Sequence, residues 1–241
     1  MQPSLNDADL RIKRARQHIN SLRRYQRQIA INPDEVIIEP HPNPVEILPN
    51  GKRRFHSPKV TLPPEPPVNP QWAIRLGEAI FNLRAALDYL IYSLAYLDST
   101  EPQNFTQFPI CSTPEAFDQA ANQNLKPNDP RCLLRGVSSP HIAAIKALQP
   151  NNNRGLDPHW LAQLKGLSNP DKHRHLTIVQ SKPFEVRAWI ISATPPSGMD
   201  MQYTATREIR FGDADQFPII PILDSLSSHV VETLDIFRPD F

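Results

Sequence analysis

Leu76-Gly77-Glu78-Ala79-Ile80-Phe81-Asn82-Leu83-Arg84-Ala85-Ala86-Leu87-Asp88-Tyr89-Leu90-Ile91-Tyr92-Ser93-Leu94-Ala95-Tyr96-Leu97 decides how the chain is read. Leu76, Ile80, Leu83, Leu87, Leu90, Leu94 and Leu97 alternate four- and three-residue steps without a slip. That spacing lines one face of an α-helix with apolar side chains. It predicts a helix over 71–97, about 40 Å long at 1.5 Å per residue. A single stretch of under four heptads reads as the central helix of a bundle rather than a coiled-coil seam.

The same helix carries an Arg and an Asp one turn apart. With Arg75 set to zero and about 100° per residue, Asn82, Tyr89 and Ser93 fall within roughly 40° of it, as a polar face. Arg84 and Asp88 fall near 180–220°, beside Gly77, Phe81, Ile91 and Ala95, on a wall that other protein should cover. Charges are buried only when paired and further hydrogen-bonded. One reading is an i,i+4 ion pair that ties the helix to a loop. The other has Arg84 hold a phosphate or carboxylate while Asp88 orients that anion or a histidine.

Outward from this helix, residues 5–30 show apolar residues at helical spacing (Leu5, Ala8, Ile12, Ala15, Ile19, Leu22, Ile29), with Asn6 or Asp7 able to cap the start. Residues 1–30 hold seven Arg/Lys against two Asp, so this basic N-terminal helix is net +5 in a chain of net +1. Its cations are a solvated surface or a strip for nucleic acid or another anion, and only Tyr25 interleaves them. Residues 35–62 read as an extended hairpin turning at Asn50-Gly51. Residues 63–70, rich in proline, form a stiff connector. Pro-initiated helices are expected after Thr113, Ser139 and Asp157, the last of them closed by Pro170. Antiparallel strands fill 176–222 (Leu176 to Gln180, Phe184 to Ala193, Gln202 to Phe211), and a helix over about 222–237 closes the chain. The expectation is a single α+β domain, 1–241: a long central helix in a helical bundle packed with a C-terminal antiparallel sheet.

The composition excludes several classes. With 27 Pro and 7 Gly, the chain has neither G-x-G-x-x-G nor G-x-x-x-x-G-K-[ST], and so no phosphate-cradling loop of either kind. Cys111 and Cys132 lack metal-ligand spacing and read as buried thiols. No G-x-S-x-G, H-E-x-x-H or C-x-x-C occurs. The start is polar without an apolar core of a signal peptide, and no run approaches the length of a membrane span, so a cytoplasmic protein is expected.

A second polar cluster follows Pro170: Asp171-Lys172-His173-Arg174-His175. An imidazole titrates near neutrality, which makes His173 the acid–base candidate. Lys172 and Arg174 would stabilise negative charge, and Asp171 would cap a helix or orient an imidazole. The plain alternative is a loop that ends one element and begins the next. A metal on His173, His175 and His159 or Asp171 is the weaker reading, because a bare H-x-H lacks a supporting motif.

These segments resemble a family of uncharacterised bacterial proteins with an Asn-Leu-Arg-x-Ala-Leu-Asp helix, a Phe-Pro-Ile segment, a Gln-Pro and an Asp-Lys-His-Arg run. Here they are Asn82–Asp88, Phe108–Ile110, Gln149-Pro150 and Asp171–Arg174, and the resemblance covers roughly 68–180. It carries no assigned function. A weaker similarity is to HEPN-type helical ribonucleases, in which an Arg precedes a His by four to six residues. Tyr89 stands near that place here, so His173 would have to supply the imidazole. The expected function is therefore metal-independent phosphate recognition or RNA processing, with Arg84, Asp88, His173 and Arg174 catalytic and Asp171 and Lys172 binding. No cofactor or metal is expected. Nucleic acid or an anionic ligand is the partner class, and self-association is open. The rival is a non-catalytic binding or assembly protein whose polar motifs are structural, or one with a small-molecule pocket beside the long helix.

Overall fold

The computed structural model describes residues 3–39, 41–42, 45–56, 58–126, 129–150, 159–172, 179–190, 201–211 and 217–241. Among these, helix predominates and every strand pairing is antiparallel.

The longest helix, α2, spans Pro70–Ser99. (α1 is the N-terminal helix, Asn6–Gln28.) The Asn69 side chain caps α2 by accepting from the Gln71 N–H at 2.9 Å. Pro70 occupies the first position, where a missing N–H costs nothing. Leu76, Ile80, Leu83, Leu87, Leu90 and Leu94 are all fully buried, whereas Leu97 is only half-buried. They pack against α1, against α5 (Trp160–Lys172) and against α6 (Ile219–Phe237). From α1 come Ala8, Ile12, Ala15, Ile19 and Leu22, and from α6 come Leu223, Leu226, Val230 and Leu234.

The face of α2 expected to be solvated is covered instead. Asn82 and Ser93 are buried. The Ser93 hydroxyl donates to the Ser4 carbonyl at 2.8 Å, and Arg11 donates to Asn82 Oδ1 and to the Tyr89 hydroxyl. His18, 2% exposed, meets Arg75 and sits 2.9 Å from Glu78 Oε2. Burial, and then the guanidiniums of Arg14 and Arg75, outweigh the attraction of Glu78 and hold the His18 pKa below its usual value. The basic helix thus brings its own polar groups to satisfy those of α2, so a polar wheel face becomes a helix–helix seam. The side of α2 turned outward instead carries Ile74, Phe81 and Tyr92, all exposed.

Other elements follow the sequence with definite departures. Leu5 stands at the start of α1 with no side-chain cap, in place of Asn6 or Asp7. The segment after α1 forms two nested pairs, β1 (Ile37–Glu39) with β4 (Lys59–Thr61) and β2 (Val45–Ile47) with β3 (Arg53–Phe55). Gly51, at φ 76°, makes the turn between β2 and β3, where only glycine is unstrained. The proline connector is docked rather than free, because Arg207 Nη2 donates to the carbonyls of Pro63 and Pro64 at 2.5 and 2.9 Å.

α3 (Pro114–Ala120) and α4 (Ser139–Ala147) begin at the expected prolines. Asp157-Pro158 lies outside the described residues, and His159 Nδ1 accepts from the Leu161 N–H at the head of α5. α5 continues past Pro170 to Lys172, since a proline in a last turn forfeits a single helical bond. Two expected strands merge into β5 (Val179–Ile190), which pairs with β6 (Met201–Phe211) and shifts register between Pro183 and Glu185. A bulge absorbs the proline that the sequence reads as a break. β7 (Phe217–Pro218) completes this sheet. α6 begins at Ile219, three residues before the expected start, with Pro221 inside a first turn that has no helical partner for its N–H.

Leu87 is fully buried in this core. Leu87→Ala should cost roughly 2–5 kcal/mol on urea unfolding. A loss under about 1 kcal/mol would mean that the stripe does not face the interior.

Candidate functional site

Arg84 and Asp88 lie on the flank of α2 that meets residues 107–111. Phe108, Pro109, Ile110 and Cys111 are all buried, yet no strand among the described residues pairs with them. Side chains pair their backbone instead. Asp88 Oδ1 accepts from the Phe108 N–H at 2.9 Å, and Arg84 Nη2 donates to the Phe108 carbonyl. The two side chains also meet each other at 3.2 Å. The ion pair therefore grips both polar groups of one residue. Gln149, fully buried after α4, accepts from the Cys111 N–H at 2.9 Å and donates to the Ile145 carbonyl at 3.1 Å. Lys165 of α5 donates to the Ile110 carbonyl at 3.0 Å, and the Gln107 N–H donates to the Leu133 carbonyl at 3.0 Å. Three of the sequence motifs, Asn82–Asp88, Phe108–Ile110 and Gln149-Pro150, thus converge on one buried segment.

The pair is unequally buried: the Arg84 side chain is 9% exposed and that of Asp88 29%. Burial lowers the Arg84 pKa, and Asp88 opposes this. Outside the pair lies an open cleft of about 420 Å³ lined by Phe81, Arg84, Ala85, Asp88, Tyr89, Tyr92 and Thr106. The wall expected to be sealed is therefore covered on the Arg84 side and open on the Asp88 side.

His173 and Arg174 lie outside the described residues, as does His175. Asp171 and Lys172 form the last residues of α5, with side chains outside the described part. The thiols are poor nucleophiles: burial raises the pKa of Cys111 and of Cys132, outweighing nearby cations. Among the described residues, no group of three or more His, Cys, Asp or Glu could hold a metal ion, and no helix is long and apolar enough to cross a membrane.

One cluster escaped the sequence reading because its parts are 40 to 99 residues apart. Asp98 Oδ2 accepts from the Ser138 N–H and lies 2.7 Å from His141 Nδ1, while His141 Nε2 lies 3.3 Å from Asp240 Oδ2. Ser138 Oγ also meets Nδ1, at 3.1 Å. Both ring nitrogens face carboxylates, so neither is left to take a proton from Ser138 Oγ, and the cluster reads as a tie between α2, α4 and the C-terminus.

The basic strip is present on α1. Lys13, Arg14, Arg16, Arg24 and Arg27 are exposed. Arg23, Arg24, Arg27, Gln17 and Asn20 line a shallow groove of about 450 Å³. Arg23 is paired with Asp224 and Arg16 donates to Ser227. Among the described residues no carboxylate pairs with Lys13, Arg24 or Arg27.

No family model, curated protein or solved structure matches the chain.

If the ion pair serves the backbone, Arg84→Met should cost about 3 kcal/mol, by stranding Asp88 and the Phe108 carbonyl. Adding Asp88→Leu should bring recovery of no more than about 1 kcal/mol, because the Phe108 N–H then loses its partner too. Gln149→Leu should cost roughly 1–3 kcal/mol through the Cys111 N–H. Full recovery in the double variant, followed by denaturant unfolding, would show the pair to be a mere buried ion pair.

Proposed function

We propose that the protein is a non-catalytic, phosphate-recognising binding protein that docks RNA or a similar polyanion on α1, within a single α+β domain whose helices bundle around α2. The observation that carries this reading is the exposed basic strip. Lys13, Arg16, Arg23, Arg24 and Arg27 fall within about 120° of one another around α1 and extend over about 21 Å. The opposite face is buried, so the strip is held rigid by the core. Lys13, Arg24 and Arg27 have no acidic partner among the described residues and, unlike Arg16, no hydrogen bond to α6, which leaves them available to phosphate oxygens. No exposed aromatic interrupts the strip, which favours backbone contacts over base stacking and hence low sequence preference.

Arg84 and Asp88 support this division of labour. Both are engaged with the Phe108 backbone, so an anion at Arg84 would have to displace a structural contact. The enzymatic alternative rests on His173 and Arg174, and nothing in the described geometry favours it over binding.

The test is titration of a labelled RNA oligonucleotide over a salt series. Engagement of about three phosphates predicts a slope of about −2 for log affinity against log salt. Replacing Lys13, Arg24 and Arg27 with Gln should bring that slope close to zero. Absence of binding at low salt, or an unchanged slope in the variant, would refute the proposal. Cleavage that persists in EDTA and vanishes in His173→Ala would replace it with the enzymatic reading.

A further inference from the structure

α6 meets the basic strip of α1 at two arginines. Arg16 Nε donates to the Ser227 hydroxyl at 3.3 Å, and Arg23 Nη2 donates to Asp224 Oδ2. The two contacts differ in charge. A hydroxyl leaves the charge of Arg16 intact, whereas a carboxylate offsets that of Arg23. Arg23 nevertheless belongs to the groove, which it lines together with Gln17, Asn20, Arg24 and Arg27. Its other terminal nitrogen, Nη1, donates to Asn20 Oδ1 at 2.6 Å. The guanidinium is thus held by α6 on one side and by its own helix on the other.

The place of Arg23 in the strip makes this pair consequential. Arg24 follows it directly and Arg27 lies one turn further on, so the three residues are spread over about 6 Å along α1. All three would meet the same stretch of a bound strand. A phosphate that approaches Arg23 finds Asp224 already there, and two anions then contend for one guanidinium. The carboxylate has the advantage of being attached to the fold beside its partner, so that its contact is intramolecular. The pair is also open to solvent, with side chains 37% exposed for Arg23 and 45% for Asp224. Exposed pairs add little to stability. The effect of Asp224 therefore falls on the charge that the strip presents rather than on the hold of α6 on α1.

We propose that Asp224 sets how many phosphates the strip engages, by withholding Arg23 from the bound strand. This rests on α1 being the polyanion surface and names the residue that limits it. Lys13, Arg24 and Arg27 engage phosphates in the unaltered protein, and Arg23 joins them only when the carboxylate is removed.

The experiment is the RNA titration over a salt series, made with the full chain and its variants. Asp224→Asn keeps an oxygen acceptor for Arg23 without the charge. It should bind RNA severalfold tighter at low salt and steepen the slope from about −2 to about −3, the mark of one further phosphate. Arg23→Gln alone should leave the slope near that of the unaltered protein, and combined with Asp224→Asn it should cancel the gain. Glu232→Gln removes an exposed carboxylate about two turns further along α6 and controls for net charge. It should leave the slope unchanged. An unaltered slope in Asp224→Asn, a shallower slope in Arg23→Gln alone, or equal steepening by Glu232→Gln would each overturn the role of Asp224 while leaving α1 as the docking surface. Failure of every form to bind RNA at low salt would refute the docking surface itself, and the role of Asp224 with it.

Discussion

Phe108, Pro109, Ile110 and Cys111 run through the interior with no strand among the described residues beside them, and each buried peptide group there needs a partner. Asp88 and Arg84 take the Phe108 N–H and carbonyl, Lys165 takes the Ile110 carbonyl, and Gln149 takes the Cys111 N–H. These partners come from α2, from α5 and from the end of α4. One segment of chain therefore fixes the relative placement of three helices through polar contacts alone. The apolar core supplies most of the stabilisation, but leucine stripes are tolerant of sliding and rotation. A set of directional bonds to one backbone is not. The ion pair reads best as a register device, in which charge is retained in the interior because it selects one arrangement.

The two long helices divide their faces in a complementary way. α1 turns Ala8, Ile12, Ala15, Ile19 and Leu22 inward, and with Arg11 and His18, together with Ser4 just before it, satisfies the polar residues of α2 along its flank. That leaves Lys13, Arg24 and Arg27 outside as a rigid strip of positive charge. α2, having its polar face covered, turns Phe81, Ala85, Asp88 and Tyr92 outward. A basic surface and an aromatic cleft beside the ion pair are thus consequences of one packing choice.

The leucine spacing made α2 readable in the sequence to within two residues at either end, although Asn69 and Pro70, read there as connector, are its cap and its first residue. The basic character of α1 was equally plain. What covers a helix face was not readable: Asn82, Tyr89 and Ser93 are polar on any wheel, and only the approach of α1 turns them into a seam. Arg84 and Asp88 could be singled out as costly to bury, but their partner was a backbone group twenty residues away, and backbone partners leave no mark on side-chain chemistry. Prolines misled twice in the same way. Pro170 sits within the last turn of α5 and Pro183 within β5, because a last turn and a bulge each tolerate the missing donor. The tie of Asp98, His141 and Asp240 was illegible for the usual reason, since distance along the chain says nothing about meeting in space.

Native-state hydrogen exchange on individual amides tests the central account most directly. Phe108 and Cys111 lie in no regular element, so only side-chain acceptors can protect their N–H groups. The account predicts protection at both residues comparable with the buried middle of α2. In Asp88→Ala, protection should fall by orders of magnitude at Phe108 while Cys111, bonded to Gln149, keeps more of its own. Exchange of the Phe108 amide at the rate of an open loop in the unaltered protein would contradict the account, because Asp88 would then not be holding the segment.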